Sequence, residues 1–278
     1  MANKKIEQTV IKSVAYIFLT LGALSMLVPF LWMLSTSLKA EPEAFIFPPE
    51  VFGKKILWTN FLKISDRFNF ARYFLNSVKI ASWVVFFQLL TSSMAGFVFA
   101  RLKFRFRDKI FLLYLATMMV PAHVTVITNY INLTKLGLTG SHWPLMIPPM
   151  VSAFGTFLLR QFFVTIPQSL DDAARIDGCN PFTIYLRIFL PMAGPTLATL
   201  GIFCFMWSWN DYFTPLIYIV DERLFTLPLG LANMQGMYAT NWPVLMAACT
   251  ITIIPVLIVF LTAQNAFVKG IVLTGLKD

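Results

Sequence analysis

The sequence predicts an all-α polytopic membrane protein that crosses the bilayer six times, with both termini in the cytoplasm. Hydrophobic residues make up 58% of the chain and charged residues 13%, whereas a soluble domain is nearer half apolar and a quarter charged. Long stretches without any charge recur along the chain, and about 20 apolar residues cross the hydrocarbon core as a helix. Lys and Arg cluster between alternate stretches, so the formal net charge of +9 indicates topology rather than a nucleic-acid surface.

Six predicted spans follow in chain order from the uncharged stretches. They cover residues 13–36, 74–100, 109–133, 143–163, 191–219 and 243–267. The first is too long for the apolar region of a signal peptide and no small-residue cleavage site ends it, so we interpret it as a retained helix. Residues 225–242 carry no charge either, but they are rich in Gly, Pro and Asn and are expected to form a loop.

The orientation of these spans follows from the loop between the second and third. Residues 101–109 read RLKFRFRDK, with five positive side chains, and loops of this kind stay in the cytoplasm. The N-terminus, the 160–187 loop and the C-terminus are then also cytoplasmic. The segment 40–68 becomes a loop on the outer side.

A short charged segment, SLDDAARIDG at 169–178, interrupts the apolar sequence between the fourth and fifth spans. Ser169 and Asp172 fit a capping box at a helix start. The helix dipole favours negative charge in the first turn, where Asp171 and Asp172 would lie. Gly178 supplies a left-handed stop. These signals predict a two-turn helix over 170–177.

A second helix start follows immediately. Asn180 can cap a helix, and Pro181 suits the first helical position. The sequence therefore predicts another short helix that ends before Leu190. Together the two helices form a helix–turn–helix elbow over 169–190, which we expect to project into the cytoplasm.

The elbow carries the residues of a known motif. An acid with two alanines is followed at fixed spacing by a glycine, an isoleucine and a Leu-Pro pair: Asp172, Ala173, Ala174, Gly178, Ile188, Leu190 and Pro191. This pattern resembles the EAA motif of membrane-spanning subunits of ABC importers. The flanking sequence resembles the sugar-importer branch, and within it the maltose-type second permease. Asp172 stands where that family usually has Glu, and the resemblance covers nearly the whole chain.

The resemblance implies a role and a set of partners. In that family the elbow is a coupling helix that seats in a cytoplasmic ATPase subunit, and Asp172 would contact a basic group there. The expected partners are a companion permease, two ATPase subunits that hold ATP and Mg, and an extracytoplasmic solute-binding protein. The expected substrate is a carbohydrate or a related polyol or glycerol phosphate. The chain would lie among lipids in the cytoplasmic membrane of a prokaryote, without nucleic acid.

A second candidate site is the segment WSWNDYF at 207–213. We single out the side chains Trp207, Trp209, Asn210 and Asp211. They suit a translocation path, since aromatic rings stack on sugar faces and polar groups bind hydroxyls. They also suit an interfacial aromatic belt, with Asp211 near the headgroups, or packing between helices.

Catalytic, cofactor and metal sites are not expected in this chain. The three cysteines, Cys179, Cys204 and Cys249, form no C-x-x-C pair, and His123 and His142 have no metal-ligand spacing. The nearest match to a phosphate loop, at 270–275, lacks a strand–turn–helix context. The chain is therefore expected to be a transporter subunit and not an enzyme. An ion-coupled secondary carrier, with Asp211 as coupling acid, is the alternative, and a membrane-embedded enzyme is less favoured.

Overall fold

The computed structural model describes residues 2–67, 69–235 and 240–275, and every regular element within those ranges is helical. The α-helices are, in chain order, α1 (Ala2–Ser37), α2 (Thr59–Leu62), α3 (Ile64–Arg67), α4 (Phe70–Arg101), α5 (Arg107–Ala116), α6 (Ala122–Lys135), α7 (Trp143–Met146), α8 (Ala153–Thr165), α9 (Gln168–Ile176), α10 (Pro181–Ile184), α11 (Leu190–Met192), α12 (Gly194–Asn210), α13 (Phe213–Tyr218), α14 (Leu227–Asn233) and α15 (Trp242–Gly275). Shorter 3-10 turns separate some of them, and a π-helical turn, Tyr185–Phe189, joins α10 to α11. The all-helical prediction therefore holds for the described part of the chain.

Four helical segments among the described residues are long and apolar enough to cross a membrane, and two bent pairs raise the number to six if each pair is one span. The four are Ile11–Ser37, Phe70–Arg101, Trp143–Thr165 and Trp242–Gln264. The bent pairs are Arg107–Met119 with Ala122–Lys135, and Pro181–Met192 with Gly194–Asn210. This agrees with a polytopic membrane fold, while the cytoplasmic placement of the termini stays a prediction.

The third predicted span, 109–133, is not one straight helix. The chain bends by 97° between Met119 and Ala122. Pro121 lies at the bend, in extended conformation. A proline disfavours helical backbone in the residue before it, and Val120 is accordingly extended as well. The proline therefore divides this apolar stretch into two helices.

The fifth predicted span, 191–219, is also divided. A bend of 77° precedes Gly194, and α12 ends at Asn210 before α13 begins at Phe213. Pro215 has no N–H to donate to the carbonyl of Asp211 four residues earlier, so a continuous helix is disfavoured there. The side chain of Asp211 instead accepts a hydrogen bond from the Thr214 amide at 3.1 Å.

The chain forms two compact units, one of residues 1–68 with 233–253 and the other of 69–232 with 254–278. Within the first unit, the predicted outer loop is folded onto the end of α1. Asn60 donates to the carbonyls of Ser37 at 2.9 Å and Lys39 at 2.8 Å. The Lys39 ammonium lies 4.5 Å from the centre of the Trp32 ring.

In the second unit, α4 and α8 approach closely at small residues. A Cβ added to Gly96 would lie 3.0 Å from the Arg160 backbone nitrogen, and one on Gly155 would lie 2.4 Å from Ser92 Oγ. Small residues allow membrane helices to pack backbone to backbone. The buried cluster beside this crossing includes Phe97, Leu159, Phe163, Phe189 and Leu200. It holds the helices that follow α8 against the end of α4.

Candidate functional site

The first elbow helix, α9, begins earlier than the sequence predicted. It starts at Gln168, with Pro167 at the N-cap and no side-chain cap. An N-cap residue needs extended backbone, and Pro167 has it with φ −58° and ψ 138°. Ser169 lies inside the helix, so the predicted capping box with Asp172 was wrong. Asp171 is the acid in the first turn.

The end of α9 follows the predicted glycine stop. Gly178 has φ +78°, which is left-handed backbone that glycine adopts without strain. The Gly178 amide donates to the carbonyl of Arg175 at 3.0 Å, and the Cys179 amide donates to that of Ala174 at 2.9 Å. This pair of bonds is a Schellman motif. The turn between the two elbow helices therefore has a defined geometry.

The second elbow helix starts as predicted but runs further. The Asn180 side chain accepts from the Thr183 amide at 2.8 Å, and Pro181 is the first helical residue. The helix continues through the π-helical turn and ends at Met192, so the predicted end before Leu190 was wrong. A π-helical turn is wider than an α-helical one and accompanies interruptions in the hydrogen-bond ladder, which accommodates Pro191 inside the helix.

The seven motif residues divide between two faces of the elbow. The exposed members are Asp172, Ala173, Gly178 and Pro191, whereas Ala174 is buried and Ile188 and Leu190 are half-buried. The elbow therefore presents the Asp172 carboxylate to its surroundings, while Ala174, Ile188 and Leu190 pack inward. Asp177 is exposed at the C-cap of α9.

The neighbouring acid, Asp171, turns inward and meets Arg101 at the end of α4. Arg101 Nη1 lies 3.4 Å from Asp171 Oδ2, and both side chains are buried. Burial raises the pKa of the Asp171 carboxyl, and the charge of Arg101 opposes that rise. Sequence reasoning missed this pair, because it treated Arg101 as a loop cation and Asp171 as a dipole partner. The sequence did contain one signal for it, the consecutive acids Asp171 and Asp172. Two consecutive residues of a helix point in different directions, so only one of the two could face solvent fully.

A cavity of about 270 Å³ lies between the helices of the second unit. Its lining combines polar groups with an aromatic ring, and includes Gln88, Ser152, Trp207, Ser208, Asp211 and Thr226. Gln88 is buried at 5% exposure. A few polar groups in a largely apolar pocket are typical of small-molecule sites.

The structure separates the four candidate path residues. Trp207 and Asp211 line the cavity. Trp209 is buried elsewhere and packs against Phe205 and Phe74, with ring centres at 5.3 and 5.7 Å. Asn210 is exposed and its side chain donates to the carbonyl of Met206 at 2.8 Å.

His142 takes part in a local polar contact. Its Nε2 lies 2.9 Å from the Leu224 carbonyl, and its Nδ1 lies 3.5 Å from Lys79 Nζ. This suits a neutral ring that donates from Nε2 and accepts from Lys79. Burial lowers the pKa of His142; the bond to Leu224 opposes this and the charge of Lys79 adds to it. Among the described residues, no group of three or more His, Cys, Asp or Glu side chains could hold a metal ion.

The sequence resembling a phosphate loop, at 270–275, lies at the end of α15. Its flanking Lys277 falls outside the described residues. All three cysteines are free.

Comparison with known proteins places both candidate sites within one matched region. A family model described as "Binding-protein-dependent transport system inner membrane component" matches residues 88–272. An arabinooligosaccharides transport system permease protein of Halalkalibacterium halodurans is 34% identical, with 87% of this chain and 86% of that protein covered. An sn-glycerol-3-phosphate transport system permease protein of Pectobacterium atrosepticum is 31% identical, with 93% and 95% covered. The crystal structure of a bacterial ABC transporter involved in alginate import aligns with TM-score 0.83 and 23% identity over 93% of this chain and 96% of that one.

Proposed function

The chain belongs to the inner-membrane components of binding-protein-dependent transport systems, and from that premise we propose that it is a permease subunit of an ATP-driven carbohydrate importer. The substrate would be a mono-, di- or oligosaccharide, or a related polyol or glycerol phosphate. The names of the relatives support this class, since they include permeases for arabinooligosaccharides and for glycerol phosphate. The chain is then a transporter subunit in a bacterial inner membrane.

The elbow over 168–192 is the observation that carries this proposal. It is a pair of short helices with a Schellman turn between them, and the motif residues Ala174, Ile188 and Leu190 are buried or half-buried. Its exposed face presents Asp172, which can make a charge-assisted hydrogen bond to a basic group on an ATPase subunit. ATP and Mg would be held by two such subunits, and this chain would hold no cofactor. The elbow and both termini would then lie in the cytoplasm.

The cavity beside α12 supports a path for the substrate. The ring of Trp207 offers an apolar face for a sugar, and Asp211 and Gln88 offer polar groups for its hydroxyls. Trp209 and Asn210 would support the helix that carries Trp207 rather than contact sugar. A companion permease would complete the path, and an extracytoplasmic solute-binding protein would deliver the carbohydrate.

An ion-coupled carrier is less well supported by the same geometry. Its coupling acid would be Asp211, but that carboxylate already accepts a hydrogen bond from the Thr214 amide at 3.1 Å, at the start of α13. A coupling acid must exchange protons or ions during transport. The bond to Thr214 gives Asp211 a structural role instead.

Reconstitution tests the proposal directly. The chain would be purified with its co-expressed companion permease and ATPase, placed in liposomes, and assayed for sugar uptake and ATP hydrolysis with and without the binding protein. We expect uptake to require ATP and the binding protein. Uptake that persists when the ATPase is inactivated would contradict the proposal.

The elbow has its own test within that assay. Asp172→Lys reverses the exposed charge, so ATPase binding and transport should fall while the chain stays in the membrane. Asp177→Lys is a matched control, because it reverses the charge of another exposed acid of the elbow, at the C-cap of α9. Equal behaviour of the two variants would show that Asp172 makes no specific contact.

A further inference from the structure

Arg101, the last residue of α4, touches the elbow at several separate points. Beyond the ion pair with Asp171 at 3.4 Å, its Nη2 donates to the backbone carbonyl of Ile166. Its Nη1 lies 3.4 Å from Gln168 Oε1, and its guanidinium lies 4.7 Å from the centre of the Phe189 ring. One side chain therefore contacts the entry to α9, the first turn of α9 and the second elbow helix.

The charges of this cluster are removed from solvent. The Arg101 and Asp171 side chains are 5% and 2% exposed. In the described part of the chain, Asp171 Oδ2 is buried without an aligned hydrogen bond, so Arg101 provides most of its electrostatic compensation, with a smaller contribution from Arg175. Separating Arg101 from Asp171 would leave a buried charge poorly compensated, which is more costly than losing an exposed ion pair. The end of α4 and the start of α9 are thus held in one register.

The other contacts between α4 and the elbow constrain it less. Phe97 meets Phe189 and Tyr185 with ring centres at 5.1 and 5.5 Å. Apolar contacts of this kind are not directional, so they permit small sliding. Ser93 and Tyr185 share a hydrogen bond of 2.8 Å, but it reaches only the second elbow helix. Among the described hydrogen bonds and ion pairs between α4 and the elbow, those of Arg101 are the ones that hold the first helix.

The helix behind Arg101 leads to the cavity. α4 runs unbroken from Phe70 to Arg101, and Gln88 on this helix lines the cavity. At a rise of about 1.5 Å per residue, Gln88 lies roughly 20 Å from Arg101 along the axis. Between these two residues, α4 packs closely on α8 at Ser92 and Gly96.

We propose that Arg101 is a positioning residue that locks α9 to the end of α4, so that displacement of the elbow moves α4 and the cavity wall with it. This rests on the proposed function, in which a partner ATPase displaces the elbow. In this role Arg101 acts through the helices that it joins and not on ATP or sugar. Its role is to prevent the elbow from moving without the helix.

The test separates this mechanical role from simple stabilisation. In the double variant Arg101→Met with Asp171→Leu, apolar side chains of similar volume replace the buried pair, a change that is often neutral or stabilising. The reconstituted complex would be assayed for assembly, thermal midpoint and sugar imported per ATP hydrolysed. We expect assembly and hydrolysis to be retained, and the sugar-to-ATP ratio to fall by about 2- to 30-fold, the span of coupling changes from such contacts. Asp177→Asn, at an exposed acid beyond the end of α9, should keep the wild-type ratio.

A wild-type ratio in the double variant would overturn the proposal, since the pair would then only stabilise the fold. If that variant fails to assemble, Arg101→Lys decides. Lysine keeps a positive charge for Asp171 but lacks the two guanidinium nitrogens that reach Ile166 and Gln168 together. A lowered ratio of sugar imported to ATP hydrolysed in this variant supports the proposal, and an unchanged ratio overturns it. If the wild-type complex shows no ATP-driven uptake, the proposed function itself fails, which distinguishes the two failures.

Discussion

The left-handed turn at Gly178 allows a prediction whose magnitude follows from the backbone. Gly178 has φ +78°, and a Cβ added there would meet no heavy atom of the described residues within 4 Å beyond its chain neighbours. Gly178→Ala therefore perturbs conformation without a clash. Left-handed backbone costs a residue with a Cβ about 1–2 kcal/mol. The reduced entropy of the unfolded chain offsets about 0.4–1 kcal/mol. The net cost is about 1 kcal/mol, which corresponds to roughly fivefold more frequent opening of the turn.

Amide hydrogen exchange measures this opening directly. The amides of residues 178 and 179 are the donors of the Schellman motif, so both should exchange about fivefold faster in Gly178→Ala than in the wild type. Gly178→Asn should show a smaller increase, because asparagine tolerates left-handed backbone better. Gly194→Ala is the matched control, since its Cβ also meets open space but its φ is not left-handed. Unchanged exchange in Gly178→Ala, or an equal increase in the control, would refute the reasoning.

Three further predictions concern other parts of the second unit. Gly155→Val should lower the thermal midpoint in detergent, because its Cβ would lie 2.4 Å from Ser92 Oγ and overpacking costs about 1–3 kcal/mol; an unchanged midpoint would contradict the close helix crossing. Asp211→Ala removes the hydrogen bond to the Thr214 amide, so it should cost about 1 kcal/mol and speed exchange of that amide. Asp211→Asn keeps a side-chain oxygen there and should preserve the slow exchange; equal exchange in the Ala variant and the wild type would contradict this bond. Burial lowers the pKa of His142 below its ordinary value of 6.5, so at acidic pH the folded chain binds fewer protons than the unfolded chain. The contribution of the neutral ring to folding stability should therefore be complete above about pH 6.5. It should be lost as the pH falls from there towards the pKa of His142 in the folded chain. In His142→Gln the thermal midpoint should not show this fall at acidic pH. If the thermal midpoints of the variant and the wild type depend on pH in the same way, the neutral buried ring is contradicted.

The elbow shows how far local signals extend. The glycine stop at Gly178 and the cap at Asn180 depend on neighbouring residues alone, and both were predictable. The start of α9 was not, because Pro167 and Ser169 compete for the cap position and the packing of α9 decides between them. The continuation through Pro191 depends on a π-helical turn that no local pattern indicated.

The candidate path shows the limit more clearly. The segment at 207–213 was identified from its composition, but its four candidate side chains could not be assigned to one face. The helix breaks after Asn210, and only the packed structure shows that Trp207 lines a cavity while Trp209 packs against Phe205. Periodicity predicts faces only as long as a helix continues.

By itself, the sequence determined the all-helical membrane class and the motif that indicates the family, while the bounds of the six spans stay predictions. These depend on composition and on residues close together in the chain, where hydrophobic length and helix caps act locally. The tertiary structure alone decided that Asp171 turns inward to Arg101 while Asp172 stays exposed. That choice depends on a cation 70 positions away in the chain, brought into contact by the packing of α4, and a buried charge is tolerated only where such a partner meets it.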